Sequence, residues 1–365
     1  MNDVHELRRV ESLILKSAYR PRLGFLGVGW IGQHRLQALV HSGLVEVVAI
    51  ADPVQALATQ AACLAPGAVV LSDMAALLAQ ELDGMVIATP SALHAEQTIE
   101  ALAAGLAVFC QKPLGRTAAE TRRVVDAART ANRLLGVDLS YRFMRGIQTM
   151  RTLIQAGEVG DIYAVELVFH NAYGPDKAWF YDLAQAGGGC VIDLGLHLVD
   201  LALWTLNFPR VMSTTSRLFA HGKPLGAPIT EVEDYAIARL DLDTGATVSL
   251  TCSWRLSAGC DAVISAAFYG TQGGVALHNV AGSFYDFTTE RFWGTRRQTL
   301  HEPPDTWGGR AAIAWARQLV THQQFHPDIA HVVTVAEVLD AIYGRQDLEG
   351  GVACQAPLTY PSDAS

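Results

Sequence analysis

Basic runs, paired cysteines and leader-like apolar segments are scarce in this chain, and each scarcity closes off a class of function. Its 365 residues carry 27 Lys and Arg against 36 Asp and Glu, a formal net charge of −9. No basic run exceeds isolated pairs such as Arg296-Arg297. Nucleic-acid recognition needs a clustered positive footprint, so no nucleic-acid partner is expected. Cysteines occur at 63, 110, 190, 252, 260 and 354 with no C-x-x-C pair. That scatter speaks for reduced thiols and against a disulfide frame or zinc site. His322, His326 and His331 gather near the end of the chain but lack further ligands, so they read as a solvated helix end and no metal is expected. Residues 1–20 mix Glu6, Arg8, Arg9, Glu11 and Lys16 with only a short Leu13-Ile14-Leu15 run, which is no signal-peptide core. No stretch reads as long enough to span a membrane. A cytoplasmic protein without a membrane partner is the expectation, with 1–20 suited to an amphipathic helix. No internal repeat or low-complexity tail is visible.

What is present begins at residue 23. The apolar run Leu23-Gly24-Phe25-Leu26 leads straight into Gly27-Val28-Gly29-Trp30-Ile31-Gly32, and a second apolar run, 45–50, ends at Asp52. Strand, glycine turn, helix, strand and acid follow in the order of a dinucleotide site. Gly27 permits the tight turn, Gly29 lets backbone approach a pyrophosphate, and Gly32 lets the helix pack on the strand. The N–H groups of Trp30 and Ile31 open the helix toward phosphate. Asp52 lies where a carboxylate accepts a ribose 2′-OH. It repels a 2′-phosphate, and Pro53, Val54 and Gln55 offer no cation in compensation. NAD is therefore the expected cofactor, with NADP the alternative.

Further short apolar strands at 68–71, 84–88, 106–110 and 134–137 alternate with Ala-rich helical stretches, which predicts a doubly covered parallel sheet, an α/β Rossmann domain. Beyond Tyr141 the texture changes. A helix at 146–157 and a strand at 162–170 precede a glycine run at 187–189 and a helix at 190–206. Strands then follow at about 211–220, 232–242, 245–255, 261–269 and 273–279, with more near 284–289 and 297–301, and Asp243-Thr244-Gly245 makes a hairpin turn. This predicts a C-terminal α+β domain with a large, mostly antiparallel open sheet, closed by helices at 309–322 and 328–344. The expected divisions are an extension at 1–21, a Rossmann domain at 22–142, and a substrate and oligomerisation domain at 143–350 whose terminal helices return to the first. A tail follows at 351–365.

Within the helix 190–206 nearly every residue is apolar except Asp193, His197 and Asp200. On a regular α-helix these fall at i, i+4 and i+7 and form one polar stripe. The stripe reads as a histidine acid/base oriented by a carboxylate; an internal hydrogen-bonded anchor is the alternative. A second candidate is Lys112, in Phe109-Cys110-Gln111-Lys112-Pro113 at the C-terminal end of a predicted parallel strand. Open α/β sheets bind their ligands at that edge; an ordinary solvated lysine is the alternative. The segment from His170 to Trp179 sets Asn171, Tyr173, Asp176, Lys177 and Trp179 together, polar edges and aromatic faces that suit a hydroxylated ring. Tyr141 and Arg142 adjoin the domain junction, where Arg142 favours a substrate carboxylate.

These pieces resemble the glucose–fructose oxidoreductase, inositol dehydrogenase and rhizopine-catabolism (Gfo/Idh/MocA) family over about 22–350. The resemblance rests on the glycine turn, Ala88-Thr89-Pro90-Ser91 with His94, Ala101-Leu102-Ala103-Ala104-Gly105 leading to Lys112-Pro113, and Gly187-Gly188-Gly189 leading to Asp193-x-Gly-x-His197-x-x-Asp200. It implies that Lys112, Asp193 and His197 are catalytic and that Thr89, Pro90 and His94 line the nicotinamide side, with Gln111 and Lys112 also against the cofactor. It also implies that the Lys112–Pro113 peptide is cis and that the open sheet builds a homodimer or homotetramer. The expected reaction is hydride transfer between a secondary alcohol carbon of a sugar, sugar acid or cyclitol and the nicotinamide. Cyclic-redox glycoside cleavage, a non-catalytic sugar sensor, and an aldehyde, imine or dihydrodiol substrate stand as alternatives. One departure is Gln111, where the family usually has Glu. An amide keeps the shape and gives up the charge, which predicts a modest retuning of the acid–base step rather than inactivation.

Overall fold

The computed structural model of the protein describes residues 19–345. The helix expected within 1–20 falls almost wholly outside them, as do Cys354 and the tail at 351–365. The described chain clusters into two compact units: 19–144 with Thr306–Val333, and Arg145–Asp305 with 334–345.

The first unit is built on six strands, β1 (Arg22–Leu26), β2 (Glu46–Ala51), β3 (Val69–Leu71), β4 (Gly84–Ile87), β5 (Ala107–Cys110) and β6 (Leu135–Val137). All pair in parallel in the order β3-β2-β1-β4-β5-β6. β4 and β5 are buried along their whole length, as strands covered on both faces must be. The covering helices are α1 (Trp30–Ser42), α2 (Gln55–Ala62), α3 (Met74–Leu78), α4 (Ser91–Ala103) and α5 (Ala118–Ala131). Their starts differ in a way that matters. Asp73 caps α3 and Thr117 caps α5 with side-chain oxygens, whereas α1 begins at Gly29 with no side-chain cap. The unit is completed by the helix Arg310–Thr321, whose Trp315 packs 5.7 Å from the Phe109 ring. A Cβ at Gly136 would lie 2.7 Å from that indole, so the glycine makes its room.

The second unit opens with α6 (Arg145–Gln155) and β7 (Ile162–Asn171), followed by α7 (Leu183–Ala186), a π-turn at Val191–Gly195 and α8 (Leu196–Thr205). The remaining strands are β8 (Val211–Ala220), β9 (Lys223–Pro224), β10 (Tyr235–Leu242), β11 (Thr247–Ser253), β12 (Ala262–Gly270), β13 (Gly273–Asn279), β14 (Phe287–Trp293) and β15 (Arg296–His301). With β7 they form a nine-stranded sheet ordered β15-β14-β13-β12-β7-β11-β10-β8-β9. β7 and β11 pair in parallel and the other neighbours antiparallel. Leu167 and Phe169 of β7 lie opposite Leu250 and Cys252 of β11, all four buried, and α8 and the π-turn pack over these strands. β10 alternates cleanly, with Ala236, Ala238 and Leu240 buried and Ile237 and Arg239 exposed. The hairpin at 243–245 joins β10 to β11, with Gly245 at φ +86°. The closing helices are α9, the Arg310–Thr321 helix of the first unit, and α10 (His331–Ile342), most of which lies in the second. The expected block 143–350 is thus divided, with 306–333 in the first unit.

Two expectations are corrected here. One stretch, Leu183–Thr205, is after all long and apolar enough to cross a membrane by length and composition. Of its most apolar window 94% is buried in the protein, the pattern of a core helix. Nor is the predicted helix at 190–206 regular. At Val191–Gly195 the turn widens, and the Leu196 N–H reaches back five residues to the Val191 carbonyl. The i, i+4 stacking expected for Asp193 and His197 therefore does not run unbroken through the turn.

Candidate functional site

In the first unit the glycine turn is fixed from three sides. Gly27 sits at φ +85°, and a Cβ there would come within 2.6 Å of the Ala88 carbonyl; one on Gly32 would come within 2.4 Å of the Gly27 carbonyl. At Gly29 a Cβ would meet nothing within 4 Å, so the backbone borders open space just where α1 begins uncapped. Such a cradle fits a pyrophosphate, received by the free N–H groups of Trp30 and Ile31 and the positive end of the helix dipole. Trp30 itself is 63% exposed and leans on His34 with ring centroids 4.4 Å apart.

Asp52, at the exit of β2, has a second task the sequence did not announce. Its two oxygens accept the Val28 and Val54 N–H groups, both at 2.8 Å, so the carboxylate braces the glycine turn against β2. It is only 7% exposed. Each oxygen keeps a further lone pair for a hydroxyl.

The strand ends next to it carry the other predicted residues. Pro90 occupies the N-cap of α4, and the Thr89 hydroxyl donates to Gln97 Oε1 at 2.6 Å. His94 does not offer a free face: it is 1% exposed, with Nδ1 2.6 Å from the Pro113 carbonyl and Nε2 2.7 Å from the Thr89 carbonyl. It ties the ends of β4 and β5 together from behind. Burial lowers its pKa; the two carbonyls oppose that shift, and the charge on Lys112 adds to it. Lys112 is half-buried directly after β5, and its peptide bond to Pro113 is cis. The Gln111 side chain accepts the Lys112 N–H at 3.1 Å and donates to Asp138 at 2.7 Å. Tyr141 is buried with its ring centroid 4.9 Å from that of Trp307, and Arg142 is half-buried in the 3-10 turn Ser140–Phe143.

In the second unit the π-turn gathers the chemistry. From Ala186 to Leu203 every residue is buried except Asp193, which is half-buried, and His197 is 8% exposed. The Trp254 indole N–H donates to Asp193 Oδ2 at 3.1 Å. Around that indole stand Phe180 and Tyr181, edge-on at 6.3 and 5.7 Å, with Trp179 stacked on Phe180 at 3.8 Å. Tyr173 donates to Asp261, while Asp176 and Lys177 pair with each other at 2.9 Å on the surface. Asn171 ends β7 with its Oδ1 buried and unpartnered. His170 lies on the strand rather than in the loop, its Nδ1 2.8 Å from Ser253 Oγ, and burial lowers its pKa.

Sequence reasoning missed the group that shapes this turn, Glu233. Fully buried, it accepts the N–H groups of Gly189 and Val191 at 2.9–3.0 Å and the Tyr343 hydroxyl at 2.7 Å. Burial raises its pKa, against the pull of those donors. In the sequence it stands in Glu231-Val232-Glu233-Asp234, at the start of the expected strand 232–242, and only the tertiary placement separates it from its neighbours. Among the described residues no cluster of His, Cys, Asp or Glu has the makings of a metal site.

A parallel sheet with an open phosphate cradle, joined in sequence to a large open-sheet unit, defines a dinucleotide-binding oxidoreductase. Residues 22–139 match the oxidoreductase family with an NAD-binding Rossmann fold, and residues 147–276 match the GFO/IDH/MocA C-terminal domain. The chain belongs to the Gfo/Idh/MocA family. It is 34% identical to the rhizopine catabolism protein MocA of Rhizobium meliloti over 51% of this chain, an alignment that spans 57% of that protein. It is 30% identical to the D-glucoside 3-dehydrogenase of Escherichia coli strain K12, over 69% of this chain and 77% of the relative. Among solved structures it is similar to GenD2 from gentamicin A biosynthesis in complex with NAD. That match has 26% identity and a TM-score of 0.73, covering 90% of this chain and 94% of the other.

Proposed function

We propose that this protein is an NAD-dependent dehydrogenase that oxidises a secondary alcohol carbon of a sugar, sugar acid or cyclitol. The observation that carries the reading is the retention of both Lys112-Pro113 and Asp193-x-Gly-x-His197 on the two matched domains of the family. The relative named D-glucoside 3-dehydrogenase supports the substrate class. When bound, the nicotinamide supplies the hydride chemistry.

The chain's own residues do the rest. Gly29, Trp30 and Ile31 hold the pyrophosphate, and Asp52 takes the ribose 2′-OH, which favours NAD over its 2′-phosphorylated counterpart. His197 receives the substrate hydroxyl proton, and Asp193 orients it while itself held by the Trp254 indole. Lys112 donates to a substrate oxygen and stabilises the charge that develops there. Asn171, Tyr173, Asp176, Lys177 and Trp179 supply the edges and faces for a polyhydroxylated ring, and Arg142 pairs with a carboxylate where the substrate has one. The protein acts in the cytoplasm as a homodimer or homotetramer, an assembly that light scattering will read directly.

The test follows reduced-nicotinamide absorbance across a panel of sugars, sugar acids and inositols, with NAD and with NADP. His197→Ala and Lys112→Ala are each expected to lower turnover by about 10²-fold or more while NAD still binds. Full turnover in either variant overturns the assignment, and tighter binding of NADP than of NAD overturns the cofactor choice.

A further inference from the structure

Behind the lysine turn lies a buried charge that the sequence did not connect to it. Asp138 follows β6 directly and is fully buried. Its Oδ2 accepts two donors: Arg35 Nε from α1 at 2.5 Å and the Gln111 side-chain nitrogen from the end of β5 at 2.7 Å. Its Oδ1 is buried without any hydrogen-bond partner. Gln111 uses its other end on the Lys112 N–H, at 3.1 Å. The amide is therefore read in one orientation, nitrogen toward the carboxylate and oxygen toward the lysine backbone. A carboxylate at 111 would face Asp138 across a hydrogen-bond distance with no proton between them, and buried like charges cannot both stay ionised. The amide at 111 thus does not mark a missing charge, as expected above. The charge is present one side chain further back.

We propose that Asp138, anchored by Arg35, is the positioning residue of the Lys112 turn, and that positions 111 and 138 form an exchangeable pair in which one member is an amide and the other a carboxylate. The proposal deepens the dehydrogenase reading, because it rests on Lys112 being the proton-handling lysine. The groups around Asp138 are few. Arg35 comes from α1 with His34 beside it, and Cys110 comes from β5 with its thiol pushed up to about 12, mainly by burial. The thiol therefore stays uncharged through neutral pH.

The test is a four-member cycle: the parent chain, Gln111→Glu, Asp138→Asn, and the exchange variant Gln111→Glu/Asp138→Asn. Three quantities are read: the thermal midpoint without cofactor from acid to alkaline pH, native-state hydrogen exchange of the Lys112 amide, and the NAD dissociation constant. In Gln111→Glu the two carboxyls share a proton, so their folded pKa rises above its unfolded value. The midpoint should hold up at acid pH and fall as pH rises. Asp138→Asn should lose stability at every pH, because Arg35 is left buried without its carboxylate. Both single variants should expose the Lys112 amide and weaken NAD by about tenfold. The exchange variant should restore amide protection, NAD affinity to within about threefold and a pH profile parallel to the parent's.

A parent-like pH profile in Gln111→Glu overturns the proposal, as does an exchange variant no better than the sum of the single losses. If only stability moves while Lys112 protection and NAD affinity stay at parental values, the pair is structural and Asp138 positions nothing. Because the midpoint and exchange measurements need neither cofactor nor substrate, failure of the dehydrogenase reading would leave them interpretable.

Discussion

Two buried carboxylates, Asp52 and Glu233, show how much of this protein's chemistry rests on single acceptors of backbone N–H groups. Asp52 braces the glycine turn through Val28 and Val54. In Asp52→Asn one oxygen becomes an amide nitrogen facing an N–H, so one of those donors loses its acceptor. The expected cost is about 1–3 kcal/mol in chemical denaturation, with discrimination between NAD and NADP narrowed in the same variant. Unchanged discrimination would place the choice elsewhere in the turn. Glu233 gives a pH signature of opposite kind to His94. Burial raises the folded pKa of Glu233, so its contribution is present at low pH and lost as pH rises from the usual carboxylate range through the raised value. Burial lowers that of His94, so its contribution is present above the ordinary imidazole value and lost as pH falls through the lowered one. Glu233→Gln keeps an acceptor for Gly189, Val191 and Tyr343 and should flatten the first slope in a series of midpoints against pH. Glu233→Ala leaves those three donors stranded and should cost about 3 kcal/mol or more.

At the scale of elements, the parts that were legible are those whose physics is local. The glycine turn, the acid after β2 and the parallel strands announce themselves through spacing and apolar runs, and each observed strand except the two-residue β9 lies within a few residues of its expected place. The turn at Val191–Gly195 was not legible, because a π-turn has the composition of the α-helix it interrupts. The groups that hold it are distant in sequence: Glu233 accepts the Gly189 and Val191 N–H groups, and the Trp254 indole N–H donates to Asp193. The partners of His94 were hidden for a similar reason, since nothing in Ala88-Thr89-Pro90 reveals that both ring nitrogens will face carbonyls of neighbouring strand ends. The π-turn carries a prediction of its own. Trp254→Phe keeps an aromatic ring among Phe180 and Tyr181 but removes the donor to Asp193. Turnover should fall about tenfold, with midpoint and NAD affinity close to the parent's. A fall in midpoint as large as the fall in turnover would mean the indole N–H holds the fold rather than the site.

At the scale of the whole molecule, the chain passes from the first unit to the second, back to the first at Thr306 and into the second again at Thr334. α9 follows nine strands of which none belongs to the first sheet, yet it packs in the first unit. Trp315 fits where Gly84 and Gly136 leave room, beside Phe109, and Ala311, Ala312, Ala316 and Leu319 join the same buried cluster as Leu23 and Phe25. The glycines that make this pocket lie far from Trp315 in the chain, and their small size has no meaning until the helix is in place. The first sheet is therefore completed by residues synthesised long after it, and its stability should depend on them. Trp315→Ala removes a fully packed indole whose surroundings, two glycine-lined strands, cannot collapse to fill the gap, at a cost of about 3–5 kcal/mol. Native-state hydrogen exchange can locate that cost. Amides of β4, β5 and β6 should lose protection while those of β7, β11 and β12 keep theirs, because the two sheets have separate cores. Equal loss of protection in both sheets would show instead that the two units unfold as one.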